Sequence, residues 1–162
     1  MITTINFHLI KACNFRCKFC YATFEDIKGK SISKNEQMEL MRQLAKSKLF
    51  KKINFAGGEP TLVPHIDELI IHAKILGFET SIVTNASRID ENWIKRMAPY
   101  LDILTISLDS LDEGTNLISG RADSSGNTIK REAIESLSNA CHENNIALKI
   151  NTVVSRPTCQ KH

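Results

Sequence analysis

Apolar positions along the chain follow two periods. Runs of strand character at Ile5 to Ile10, Ile53 to Ala56, Thr80 to Thr84, Ile103 to Leu108 and Ala147 to Val153 predict five strands. Between them the apolar residues recur at helical spacing. Met38, Met41, Leu44 and Ala45 follow Ser33-Lys-Asn-Glu36, a capping box. Leu69, Ile70, Ala73 and Leu76 share one face of a helix that begins near Pro64 and stops at Gly77. Trp93, Ile94 and Met97 lie between a capping Asp90 and the terminating Pro99, so Trp93 reads as core. After a loop containing glycine and serine, Ile129, Ala133, Ile134, Leu137 and Cys141 form a fourth stripe, which makes Cys141 a small buried residue. Strands and helices alternate with no internal linker, which is the order of βα units. Right-handed crossovers then curl a parallel sheet toward a barrel with helices outside. The expected class is α/β, a partial (β/α) TIM-like barrel of about five βα units over residues 1–154. Residues 155–162 lack periodicity and read as a tail carrying Cys159 and His162.

Alternation along each strand separates a helix-facing set from a barrel-facing set. Ile5, Phe7, Leu9, Ile53, Phe55, Leu104, Ile106, Leu108, Leu148 and Ile150 must meet the helices. That leaves Asn6, His8, Lys52, Asn54, Thr105, Ser107, Lys149 and Asn151 facing the barrel interior, which TIM barrels ordinarily fill with branched apolar layers. An isolated interior charge costs at least several kcal/mol. Two lysines with several amides therefore mark a site suited to a polyanion, with a nucleotide phosphate chain as the obvious candidate. The competing reading places Lys52 and Lys149 at strand entrances, snorkelling to solvent.

Composition changes this picture little. The chain has 162 residues, 42% apolar and 24% charged, enough for one domain with a sizeable core. A net charge of +3 is only mildly basic and does not argue for nucleic acid. No stretch approaches the ~20 apolar residues of a membrane span, and no amphipathic helix leads the chain, so neither membrane nor anchor is expected. The cysteines add more. Three of five, Cys13, Cys17 and Cys20, stand in the spacing C-x3-C-x2-C, which indicates ligands in a reducing, cytoplasmic setting rather than disulfides. Three thiolates without a regularly spaced fourth ligand suit a metal that keeps one position open. A [4Fe-4S] cluster is favoured over zinc or three unrelated thiols.

Gly57-Gly-Glu-Pro60 follows the second strand directly, where two glycines allow close backbone approach and a carboxylate can receive an ammonium group. Joined to the cysteine triplet, it resembles the radical S-adenosylmethionine (SAM) superfamily. Asn6-Phe-His8, Cys13-Asn-Phe-Arg-Cys-Lys-Phe-Cys20, Lys52-Ile-Asn-Phe-Ala-Gly-Gly-Glu-Pro60 and Lys149-Ile-Asn151 narrow the resemblance to the viperin family of antiviral nucleotide dehydratases. Ile82-Val-Thr-Asn-Ala-Ser87, Leu101 to Ser110 and Gly120-Arg121 fall in register with the same pattern. The resemblance implies a partial barrel of the radical SAM type. Cys13, Cys17 and Cys20 would ligate a [4Fe-4S] cluster whose fourth iron is chelated by S-adenosyl-L-methionine. Gly57, Gly58 and Glu59 would hold the SAM amine, with Asn85, Ser107 and Arg121 as candidates for its ribose and carboxylate. Asn6, Lys52, Asn54, Lys149 and Asn151 would hold a nucleoside triphosphate (CTP, UTP or GTP), which becomes its 3′-deoxy-3′,4′-didehydro form. An electron-donor protein is implied as well.

Ala56 and Ala86 depart mildly from the pattern, standing where serine and glycine are usual. The family also continues through a sixth strand and a C-terminal region, so the expectation is a truncated or frameshifted microbial member. Two other classes are open: a radical SAM cyclase or peptide modifier, and a non-catalytic iron-sulfur or nucleotide-binding remnant.

Overall fold

Helix starts follow from residues that satisfy free N–H groups. Ser33 accepts from Glu36 N while the Glu36 carboxylate accepts from Ser33 N, closing the predicted capping box. Asp90 accepts from Trp93 N in the same role. The computed structural model describes residues 3–22 and 31–159, so residues 1–2 and 23–30 of the predicted core, and 160–162 of the predicted tail with His162, lie outside the described residues. In chain order the elements are β1 (Thr4–His8), α1 (Lys34–Ser47), β2 (Lys52–Ala56), α2 (Ile66–Ile75), β3 (Glu79–Thr84), α3 (Glu91–Met97), β4 (Ile103–Ser107), α4 (Glu113–Ser119), α5 (Arg131–Glu143), β5 (Ala147–Asn151) and α6 (Arg156–Cys159). The strands form one sheet in the order β1-β2-β3-β4-β5, every neighbouring pair parallel.

This is the expected partial α/β barrel. Ile53, Phe55, Ile82, Leu104 and Ile106 on the helix-facing side are fully buried against Leu69, Ile70 and Ala73 of α2, Ile94 of α3 and Leu137 of α5. Each such large apolar side chain is worth about 1.5–3 kcal/mol of burial, so this layer holds the sheet to its helices. Cys141 lies in it as predicted, 1% exposed. Among the described residues no helix is long and apolar enough to cross a membrane.

Several features differ from the sequence reading, among them β5, which ends at Asn151 rather than Val153. Strand β1 ends at His8 rather than Ile10, because the chain turns into the cysteine loop there. Helix α2 starts at Ile66, after a 3-10 turn at Pro60–Leu62 that uses Pro60 as its first residue. The loop before α5 contains α4, and a short helix, α6, stands within the predicted tail. Helix α4 escaped the periodicity because its polarity is reversed: it buries Thr115, Asn116 and Ser119 while Leu117 and Ile118 are exposed.

Candidate functional site

The carboxyl ends of the strands carry the site. Leaving β1, the chain is joined to the loop leaving β2: Leu9 N donates to Ala56 O at 3.0 Å, Gly58 N to Ile10 O at 2.6 Å and Glu59 N to Ala12 O at 2.9 Å. A Cβ on Gly58 would stand 2.1 Å from Ala12 O, so only glycine permits this approach. The other flank of the cysteine loop is held by the end of α4, where Arg16 N donates to Gly120 O (3.1 Å) and Lys18 N to Ser119 O (2.9 Å). Gly120, at φ 79°, again leaves no room for a side chain, since its Cβ would lie 2.2 Å from Arg16 O.

Between these two clamps Cys13 and Cys17 are half-buried and Cys20 is exposed. All three line one cleft of about 670 Å³, together with Lys11, Arg16, Lys18 and Gly58. Burial raises the Cys13 thiol above its usual range, partly offset by the N–H of Phe15. Burial likewise raises Cys17, with Arg121 opposing it. Among the described residues no three Cys, His, Asp or Glu side chains converge on a single metal ion. Three sulfurs spread around one open cleft, with no fourth ligand among the described residues, instead fit a polynuclear iron-sulfur cluster with one iron left free.

Glu59 is 1% exposed and heavily engaged. Its Oε1 accepts from Thr61 N, Thr61 Oγ1 and Thr84 Oγ1 at 3.0, 2.6 and 2.7 Å, and Oε2 accepts from Asn85 N at 2.7 Å. The carboxylate thus binds the end of β2 to the end of β3, with room for one further donor at Oε2. Asn85 is nearly buried; its Nδ2 donates to Asn14 Oδ1 at 2.9 Å and lies 3.9 Å from Cys13 Sγ, so it abuts the cysteine loop. Ser107 ends β4 half-buried. Arg121 pairs with Asp109, and its guanidinium lies 5.3 Å from the Phe19 ring centroid.

On the concave face the parity argument places the amides together. Asn54 Nδ2 donates to Asn6 Oδ1 at 2.9 Å, and Ser81 Oγ donates to Asn54 Oδ1 at 2.6 Å, giving a polar row across β1, β2 and β3. At the other side Thr105 aligns with Lys149 and Ser107 with Asn151. The expectation of two unpaired interior lysines is corrected. Lys149 is exposed, because β5 is an edge strand among the described residues. Lys52 stands at the strand entrance, 4.0 Å from the Glu79 carboxylate. Sequence reasoning missed Ser81, and it held Thr84, Asp109 and Gly120 only within family-like segments, with no role of their own. Parity applied to β3 would have found Ser81, whereas Gly120 and Asp109 matter through contacts distant in the chain.

This loop on this sheet defines a class. Residues 8–157 match the family described as the Radical SAM superfamily, and the chain belongs to that superfamily, whose enzymes use a [4Fe-4S] cluster and SAM. The chain is 42% identical over 160 residues to the S-adenosylmethionine-dependent nucleotide dehydratase of Lacinutrix mariniflava, a match covering 96% of this chain and 33% of the relative. It is also 42% identical over 163 residues to the protein of the same name from Flammeovirga pacifica, covering 96% and 55%. These relatives bear out the resemblance read from the sequence, and the chain spans between a third and about half of their length. Among solved structures, native anSMEcpe with bound AdoMet shares the fold at a TM-score of 0.71 and 20% identity, covering 94% of this chain and 43% of that one.

Proposed function

We propose that this chain carries the radical SAM portion of a viperin-like nucleotide dehydratase. In this reading it acts on a nucleoside triphosphate, CTP, UTP or GTP, and yields the 3′-deoxy-3′,4′-didehydro nucleotide. The observation that carries the reading is the conjunction of the clamped cysteine loop with a concave sheet face on which Asn6, Asn54 and Ser81 form a hydrogen-bonded row.

Cys13, Cys17 and Cys20 would hold a [4Fe-4S] cluster, with SAM beside it. When bound, that pair of cofactors would supply radical chemistry, so the protein's own work is orientation and exclusion of water. Gly57 and Gly58 bring main chain close to the cleft, and the remaining acceptor position of Glu59 Oε2 suits an ammonium donor. Asn85, Ser107 and Arg121 face the remaining polar groups of the cofactor. Asn6, Asn54 and Asn151 offer amides to a triphosphate, with Lys52 and Lys149 as its counter-charges. An electron-donor protein and a cytoplasmic setting complete the proposal.

The test is nucleotide-dependent SAM cleavage. Reconstituted, reduced protein is expected to release 5′-deoxyadenosine faster with one of the three triphosphates than without; no rise with any of them refutes the assignment. Lys149→Ala is expected to weaken triphosphate binding by ~2 kcal/mol, read by equilibrium dialysis. An unchanged affinity returns Lys149 to a solvated surface role.

A further inference from the structure

Asp109 has no part in the reading above, yet it is the most enclosed charge near the cysteine loop. Its side chain is 0% exposed, and both oxygens are engaged: Oδ2 accepts from Arg121 Nε and Oδ1 from Val153 N at 2.7 Å. Three segments meet at this carboxylate: the turn after β4, the turn after α4 and the chain after β5. Arg121 is itself 14% exposed, and its main-chain N–H is fixed by Asn116 O at 2.7 Å. Its guanidinium rests against Phe19, between Cys17 and Cys20.

A buried ion pair adds little net stability compared with well-packed apolar groups, so this one is better understood by what it orients. A guanidinium carries five N–H groups in a rigid plane. Asp109 takes the one on Nε, and the Phe19 ring limits rotation of the plane. The four N–H groups on the Nη nitrogens donate no hydrogen bond among the described residues. The arrangement is therefore a fork fixed at its stem, with its tines available to a carboxylate beside the cysteine cleft.

We propose that Asp109 is a positioning residue for SAM, acting through Arg121 by holding the guanidinium against the cysteine loop with its Nη groups presented to the cofactor's carboxylate. The proposal rests on the reading of Arg121 as a SAM contact. Val153 N is the second anchor, so the segment after β5 contributes to the cofactor seat without touching it.

The experiment measures SAM affinity by equilibrium dialysis on reconstituted protein with the cluster oxidised, so that no turnover is needed. Asp109→Asn keeps the shape and removes the charge; it is expected to weaken SAM binding about tenfold at unchanged iron content. Arg121→Gln is expected to weaken it at least as much. In the double variant Asp109→Asn is expected to add nothing, because two residues acting through one contact are not additive. Wild-type affinity in Asp109→Asn, or a full additional loss in the double variant, overturns the proposal. If Arg121→Gln itself binds SAM normally, the SAM reading of Arg121 fails first, and the proposal falls with it. Should Asp109→Asn fail to fold or to load iron, Val153→Pro removes the second anchor, the N–H on Asp109 Oδ1, at an exposed position beyond β5. It is expected to weaken SAM binding about threefold, and unchanged affinity there overturns the proposal as well.

Discussion

At the scale of single residues, the informative positions are those where backbone and side chain disagree. Ala86 adopts φ 60°, a left-handed conformation that costs a non-glycine residue roughly 1 kcal/mol, and it does so while buried beside Asn85. The departure noticed in the sequence, alanine where glycine is usual, is thus a local strain. Ala86→Gly is expected to be neutral to stabilising, by up to ~1 kcal/mol, in chemical denaturation; a clear loss of stability would mean that the buried methyl outweighs the strain. The cysteine triplet stood out at this scale because its spacing is local. What Glu59 does was not. A carboxylate after two glycines suggests an ammonium partner, but Thr61, Thr84 and the Asn85 amide take most of its acceptor capacity, and two of those three donors arrive from another strand.

At the scale of elements, strand faces were readable because alternation is geometric, and β1, β2 and β4 sort as parity requires. Alternation assigns a face but not a neighbour, so it does not report that Lys149, on the edge strand of the described sheet, is exposed. Helix α4 lacked the apolar period on which its detection depends. Between elements, Lys74 of α2 meets Asp102 at the entrance to β4 at 2.5 Å, and Asp102 also accepts from Thr80 N at 2.8 Å. Burial alone would raise the Asp102 carboxyl, but Lys74 and the Thr80 donors outweigh it and hold the group below its ordinary 3.8. A carboxyl depressed in the folded state contributes stability that is complete above its unfolded value and is lost as pH falls through the folded one. Thermal unfolding of the wild type is therefore expected to retain this contribution down to pH 3.8 and to lose it below. In Lys74→Met the depression of Asp102 shrinks, because desolvation then acts with less opposition, so the stability lost on acidification below pH 3.8 is expected to be smaller than in the wild type; identical acid profiles would show that the pair is energetically silent.

At the scale of the whole molecule, the cysteines report on both core and site. Cys141 is enclosed by the helix layer, and burial pushes its thiol up to about 11. Cys20 and Cys159 are exposed, and Cys13 and Cys17 are half-buried. In metal-free protein near neutral pH, thiol reagents are expected to label Cys20 and Cys159 first, Cys13 and Cys17 more slowly, and Cys141 only on unfolding. Iron-sulfur reconstitution is expected to protect Cys13, Cys17 and Cys20 together while leaving Cys159 reactive. Mass-spectrometric mapping distinguishes this from three independent thiols, which would be protected one at a time or not at all.

The double clamp on the cysteine loop has a further consequence in time. During synthesis the three cysteines emerge early, but the main-chain groups that shape their loop come from Gly58 and Glu59 and, much later, from Ser119 and Gly120. Contacts between such distant segments form only after the intervening chain has been made and closed. The loop leaves the ribosome as an unshaped thiol-bearing segment, and its metal-binding form is a product of folding rather than a seed for it. Cluster uptake by these thiols is accordingly expected late, only once Gly120 has been made and placed.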